Sequence, residues 1–434
     1  MDQAYAVPVE YYRLDNGLRV VQSHDPTSPT VIVAVYYQVG FRSEPRGRTG
    51  FAHLFEHLMF QGSGHLGKME FIRLVQSNGG VLNGSTRHDF TNYFEVLPSH
   101  RLELALWAEA DRMRSLDISE ENLVNQRDVV KNEIQVNVHN QPYGGFPWLD
   151  LPQLAFENWA NAHDYYGDFT DLDAATLDEA RAFFRTYYAP GNAVLVISGD
   201  FDAVEARQLV ERYFGDIAAG PPAPAVDDVE PAQLAEKRHE RVDQLASRPA
   251  LAVGYHLPPR GSPEYWAMGL LDQVLLQGED SRLTRALVKE RGLTGEMGGG
   301  INLLGNMYNY RGPMLWTASL LHDGAHASDK VLAAIDAVMD EVRTSEVGAS
   351  ELDRARIKLR SGYYDIVSGS LGFGRADLLA SYALFDDDPS RINSIEAAFA
   401  QVTPALMQRT AAEWLRPERR TVLALEAGAP EDGA

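Results

Sequence analysis

No cysteine occurs among the 434 residues, which excludes disulfides, thiolate metal sites and cysteine nucleophiles and leaves only His, Asp or Glu to hold a metal. Long hydrophobic runs are missing as well. No stretch approaches the roughly 18 apolar residues of a membrane-spanning helix. The start, Met1-Asp2-Gln3-Ala4-Tyr5, lacks the basic region of a secretory leader, so a cytoplasmic protein is expected. Basic charge is scarce: 39 Lys and Arg face 61 Asp and Glu, a formal charge of −22. Such a surface repels phosphate backbones and anionic lipid and argues against nucleic-acid and membrane partners. It either draws in basic peptides or simply keeps the chain in solution.

What is present is globular in kind, with 45% hydrophobic and 23% charged residues. At roughly 150 residues per domain the length calls for two or three domains. Strand-like runs at Leu18 to Val21 and Val31 to Tyr37 open the chain, and helical patterns follow from Thr49 to Phe60 and from Met69 to Gln76. Val81 to Leu97 reads as strand, followed by helices at His100 to Arg114, Ser119 to His139 and 173 to 186, then the strand Ala193 to Gly199. Strands and helices mix without strict alternation, so the fold class is α+β. The run Gly220-Pro221-Pro222-Ala223-Pro224-Ala225 has the composition of an extended connector. The expected division is 1–218, a linker at 219–236, and a related second domain at 237–434, each domain a mostly antiparallel sheet covered by helices. Beyond it come strands near 238–256 and 296–320, helices at 263–290 and a helical stretch over 327–414. Phe184 to Pro190 ahead of Val194-Leu195-Val196 parallels Glu413 to Pro417 ahead of Val422-Leu423-Ala424, as duplication or as convergence on one helix-to-strand junction.

The chemistry concentrates in His53-Leu54-Phe55-Glu56-His57. On a helix, residues four apart share a face about one turn from each other, so both imidazoles can meet one ion. Glu56 is then placed to take a proton from the attacking water without being a ligand, the H-x-x-E-H order of the inverted zincins. A catalytic zinc takes three protein ligands. Glu133, spaced i+7, i+4 and i+3 from Gln126, Val129 and Val130 on an inward-facing stripe, is the third candidate; pairing with Arg127 is the other way to place that acid. His322 and His326 share the four-residue spacing, but lie in a loop-like context without an adjacent acid and read as surface residues. His65, His88 and His139 read as structural histidines.

These residues resemble the pitrilysin and insulinase family of zinc metallopeptidases, especially its half-length members, similar to the β subunit of the mitochondrial processing peptidase. The pieces are Leu14-Asp15-Asn16-Gly17-Leu18, Gly50 to Phe60, Val129-Val130-Lys131-Asn132-Glu133 and Asn140 to Gly144. The resemblance implies two α+β domains per chain, one zinc per chain on His53, His57 and Glu133, Glu56 as general base, and two chains closing around a peptide substrate. It also implies that a substrate strand adds to the edge formed by Asn83, Gly84, Ser85 and Thr86, with Tyr93 and Thr91 beside it or simply in the sheet core. Two departures from the pattern stand out. Gln126 stands where relatives carry a Glu, in the shell around the metal. Val288 and Gly295 stand where active sites place an Arg and a Tyr toward substrate. The departure implies a heterodimer with a related, zinc-less subunit supplying both; a homodimer follows if that segment aligns differently. A non-catalytic core subunit of a respiratory complex and a dedicated leader-peptide processing enzyme are the competing readings.

Overall fold

Central strands buried on both faces set the layers. In the computed structural model, which describes residues 6–369 and 372–428, strands β1 (Glu10–Arg13), β2 (Arg19–His24), β3 (Thr30–Tyr37), β4 (Val81–Thr86), β5 (Thr91–Pro98) and β6 (Ala193–Gly199) form one sheet in the order β1-β2-β6-β3-β5-β4. Strands β7 (Lys237–Asp243), β8 (Ala250–His256), β9 (Gly298–Ile301), β10 (Leu315–Leu321) and β11 (Arg420–Ala427) form a second, ordered β7-β11-β8-β10-β9. The one parallel pair in each sheet is β2 with β6 and β7 with β11. Leaving β1 aside, the two sheets share one topology: the last strand of each half inserts between the first two of its sheet. Both inserted strands follow a short 3-10 turn that begins with proline, Pro190–Asn192 and Pro417–Arg419. The parallel between these two segments is therefore structural.

Along β3, Val31, Val33, Val35 and Tyr37 face a core shared with α1 (Phe51–Leu58), α2 (Glu70–Ser77), α3 (Leu102–Arg114) and α4 (Glu120–Ile134). The intervening Ile32, Ala34 and Tyr36 enter a different core, built largely by the second half, as the two-residue period of a strand requires. That second face is covered by the helix Phe373–Asp386, which packs on β2, β3 and β6. The exchange is mutual. Helix α5 (Asp150–Ala155) packs on β7, β8 and β11, and Phe146, Leu151 and Phe156 join Ala250, Ala252, Leu315, Leu423 and Leu425 in one apolar cluster. No helix or strand lies between Phe214 and Lys237. This connector is tied back at Glu230, which accepts hydrogen bonds from the backbone N–H of Glu157 and Asn158 and from the Asn161 side chain.

Two expected elements subdivide. The single run over 81–97 is two strands, turned at Arg87–Phe90, where Asp89 accepts from the Arg42 guanidinium at 2.6 Å and the Arg311 N–H at 2.7 Å. The helical stretch at 327–414 is a series of separate helices, among them Ser328–Thr344, Ala349–Ser368 and Pro404–Trp414. Among the described residues no helix is long and apolar enough to cross a membrane.

Candidate metal centre

Helix α1 is short and buried, and its start is fixed from below. Both oxygens of the fully buried Glu44 accept from its first free N–H groups, Gly50 at 3.0 Å and Ala52 at 2.8 Å, the arrangement that best satisfies a helix N-terminus. Burial raises the Glu44 pKa, opposed by His163, whose Nε2 lies 3.1 Å away.

Anchored in this way, α1 brings His53 Nε2 and His57 Nε2 to 3.2 Å from each other. Helix α4 packs against α1 and delivers Glu133, with Oε2 at 3.2 Å from His57 Nε2 and Oε1 at 3.7 Å from His53 Nε2. Among the described residues this is the one group of three donors that could hold a metal. The geometry fits zinc: donors about 2.0–2.1 Å from a tetrahedral ion lie roughly 3.3 Å apart, and two imidazoles with a carboxylate are a normal catalytic set. Burial, then the charge of His57, lowers the His53 pKa to about 4, so the ring is held neutral, the form that ligates. The hydrogen bond with His57, working against burial, takes the Glu133 pKa down to about 2 with the help of His53. Glu133 is thus held as the anion. Arg127 is not its partner, since it donates to the backbone of Asp173 and Ala175.

Glu56 lies near the trio, close enough for the charges of His57 and Glu133 to act on it, and burial raises its pKa. Its Oε2 accepts from Thr86 Oγ1 at 2.7 Å. Thr86 therefore touches the acid on α1. The other members of β4 lie on an edge strand: Asn83 is exposed, while Gly84 and Ser85 are half-buried. Ser85 donates to Asn92 at 2.6 Å.

Several expectations require correction. Tyr93 is fully buried, with its hydroxyl 3.3 Å from the Phe55 carbonyl, and belongs to the sheet core rather than to a surface that a substrate can reach. Thr91 is buried as well and donates to the Val39 carbonyl. Gln126 is buried, but donates to Asn125 at 2.8 Å, and none of its hydrogen bonds reaches the trio. Val129, expected to point inward, is 41% exposed, whereas Val130 is fully buried. His322 is no surface residue: it is buried between the Asp323 carbonyl and Ser328 Oγ.

The structure adds a residue that sequence reasoning passed over. Tyr166 donates to Glu133 Oε1 at 3.0 Å, and its ring lies 5.0 Å from that of His53 and 5.4 Å from that of Trp148. Its loop reaches α1 because two glycines meet. A Cβ added at Gly167 would lie 2.6 Å from Gly50 Cα, and φ is +105° at Gly167 and +81° at Gly50, values that favour glycine. In the sequence, the only hint is the pair of glycines flanking the two functional segments.

The insulinase (peptidase family M16) model matches residues 19–143, and the model for the peptidase M16 inactive domain matches residues 174–359. Zinc protease PqqE of Helicobacter pylori is 27% identical over 437 residues, 98% of this chain and 94% of that protein. Subunit 1 of the mitochondrial cytochrome b-c1 complex of Homo sapiens is 24% identical over 262 residues, 60% of this chain and 54% of that protein. The crystal structure of a protease from Helicobacter pylori matches with a TM-score of 0.89 at 24% identity, covering 97% of this chain and 100% of that one. The chain belongs to the M16 family of peptidases, and its two-domain α+β fold is the fold of that family.

Proposed function

We propose that the chain is a zinc-dependent endopeptidase, with one zinc on His53, His57 and Glu133, acting on peptides as the metal-bearing subunit of a heterodimer in the cytoplasm. Its two domains are placed at 1–218 and 237–434, joined by the linker at 219–236. The observation that carries this reading is the meeting of three donor side chains at 3.2 to 3.7 Å beside a buried acid held by Thr86.

Zinc bound there would polarise the scissile carbonyl and make the attacking water more acidic. Glu56 accepts the proton of that water and passes it to the leaving amine nitrogen; a pKa raised by burial brings it closer to the working pH of a general base. Thr86 holds one carboxyl oxygen, leaving the other for the proton. The outer edge of β4 at Asn83, Gly84 and Ser85 offers backbone groups to an extended peptide, which adds as a further strand.

At the two positions where the resemblance expects donors to the developing oxyanion, Val288 and Gly295 carry no side-chain N–H or O–H. A related zinc-less subunit supplies the Arg and Tyr. The competing reading, a non-catalytic core subunit, draws on the likeness to cytochrome b-c1 subunit 1 and on the inactive-domain model over 174–359, but gives no reason for three ligand-type side chains to converge. Processing of a specific leader peptide is the narrower version of the same activity.

Metal content and hydrolysis of a quenched peptide library, with the chain alone and mixed with its zinc-less relative, test the proposal. Stoichiometric zinc with activity in the mixture is expected. Zinc-bound chain that cleaves alone would remove the heterodimer, and the absence of metal from both samples would leave the scaffold.

A further inference from the structure

We infer that Tyr166 is a positioning residue for the metal, holding Glu133 Oε1 so that the carboxylate plane is fixed with Oε2 toward His57. This inference rests on the zinc reading above and deepens it. A carboxylate on a helix surface has free rotation about its last torsion. Glu133 is half-buried, so packing alone does not fix its plane. Two contacts do: His57 at one oxygen and the Tyr166 hydroxyl at the other, 3.2 Å and 3.0 Å away. Partners of this kind set the orientation of a ligand before the ion arrives.

Tyr166 is itself held on three sides. Asn137 lies close enough to its hydroxyl to lower its pKa against the effect of burial, the indole of Trp148 meets its ring edge-on, and the contact between Gly167 and Gly50 fixes its backbone against the start of α1. Asn137 lies four residues beyond Glu133, where α4 gives way to the π-helical turn Gln135–His139. Such turns recur at functional sites because they re-aim the side chains that follow. Glu133 thereby accepts from the phenol hydroxyl that Asn137 approaches from the next turn of the same helix. The tyrosine ring also packs at a tilt against the His53 ring, 5.0 Å between centroids, and the buried His53 Nδ1 finds no hydrogen-bond partner among the described residues. In the absence of such a bond, which usually fixes the orientation of a metal-binding imidazole, the ring packing of Tyr166 takes over part of that task.

The test compares wild type, Tyr166→Phe and Asn137→Ala by competition with a chromogenic zinc chelator, alongside thermal melts of the metal-free proteins. Tyr166→Phe keeps the ring and loses only the hydroxyl. We expect its zinc affinity to fall roughly 10- to 100-fold, that of Asn137→Ala to fall less, and the metal-free melting temperatures to stay together. Wild-type affinity in Tyr166→Phe overturns the inference, and so does a lowered melting temperature in its metal-free form, which would mark the hydroxyl as a packing group. Wild-type protein that binds no zinc defeats the metal reading itself, a result visible before any variant is compared.

Discussion

Thr86 and Glu56 are joined by a 2.7 Å hydrogen bond that links the last residue of the edge strand β4 to the acid on the helix that carries His53 and His57. The strand proposed to receive substrate and the group proposed to move the proton are thus one mechanical unit. Thr86→Val keeps the shape and removes the donor. A hydrogen bond to a charged group contributes about 1.5–3 kcal/mol, so kcat should fall roughly tenfold or more with zinc content unchanged, as read by steady-state kinetics and elemental analysis.

Glu56→Gln should remove the proton acceptor while leaving the three ligands in place. Loss of a general base costs roughly 10²- to 10⁴-fold in rate. Zinc stoichiometry equal to wild type, with turnover down to that degree, is the expected result; near-normal turnover would assign the base elsewhere.

Replacing any of His53, His57 or Glu133 with Ala leaves two donors, too few for a catalytic site. Each variant should lose zinc on dialysis against a weak chelator. Retention of zinc by Glu133→Ala would strike it from the ligand set.

Gly295 and Gly167 should respond differently to a side chain. A Cβ at Gly295 meets nothing within 4 Å, so Gly295→Tyr should change stability by no more than about 0.5 kcal/mol, as at an ordinary surface site. Gly167→Ala forces a Cβ against Gly50 at a left-handed φ and should cost roughly 1–3 kcal/mol in urea denaturation.

His88 gives the fold an acid limit. Burial, then the nearby charge of Arg42, lowers its pKa to about 3, while the unfolded chain takes up the proton near 6.5. Between those values the unfolded state binds more protons, so stability falls as pH falls, by at most about 1.4 kcal/mol per pH unit for this one group. Urea titrations at pH 7 and pH 5 should show a smaller loss for His88→Gln than for wild type.

Local spacing made the centre of this site legible. His53, Glu56 and His57 lie within one helical turn, and Glu133 betrayed itself as an acid on an apolar stripe. Val129 shows the limit of such a stripe, because the inward direction on α4 is decided by what α1 and the sheet present to it. The strand β6 was visible as a run of apolar residues, but its insertion between β2 and β3 pairs Arg19 with Val194, a contact that no local pattern encodes. Tyr166 was hidden for a similar reason: it reaches Glu133 only because two distant glycines let their backbones touch.

The exchange of covering elements between the halves, with Phe373–Asp386 on the first sheet and Asp150–Ala155 on the second, bears on how the chain can be taken apart. Each half, isolated at the connector, would uncover an apolar sheet face that its own residues cannot close, an aggregation hazard. A protease nick in that connector would therefore leave two fragments clasped as a non-covalent pair. The natural unit for expression, truncation or transplantation of this site is the whole pair of sheets.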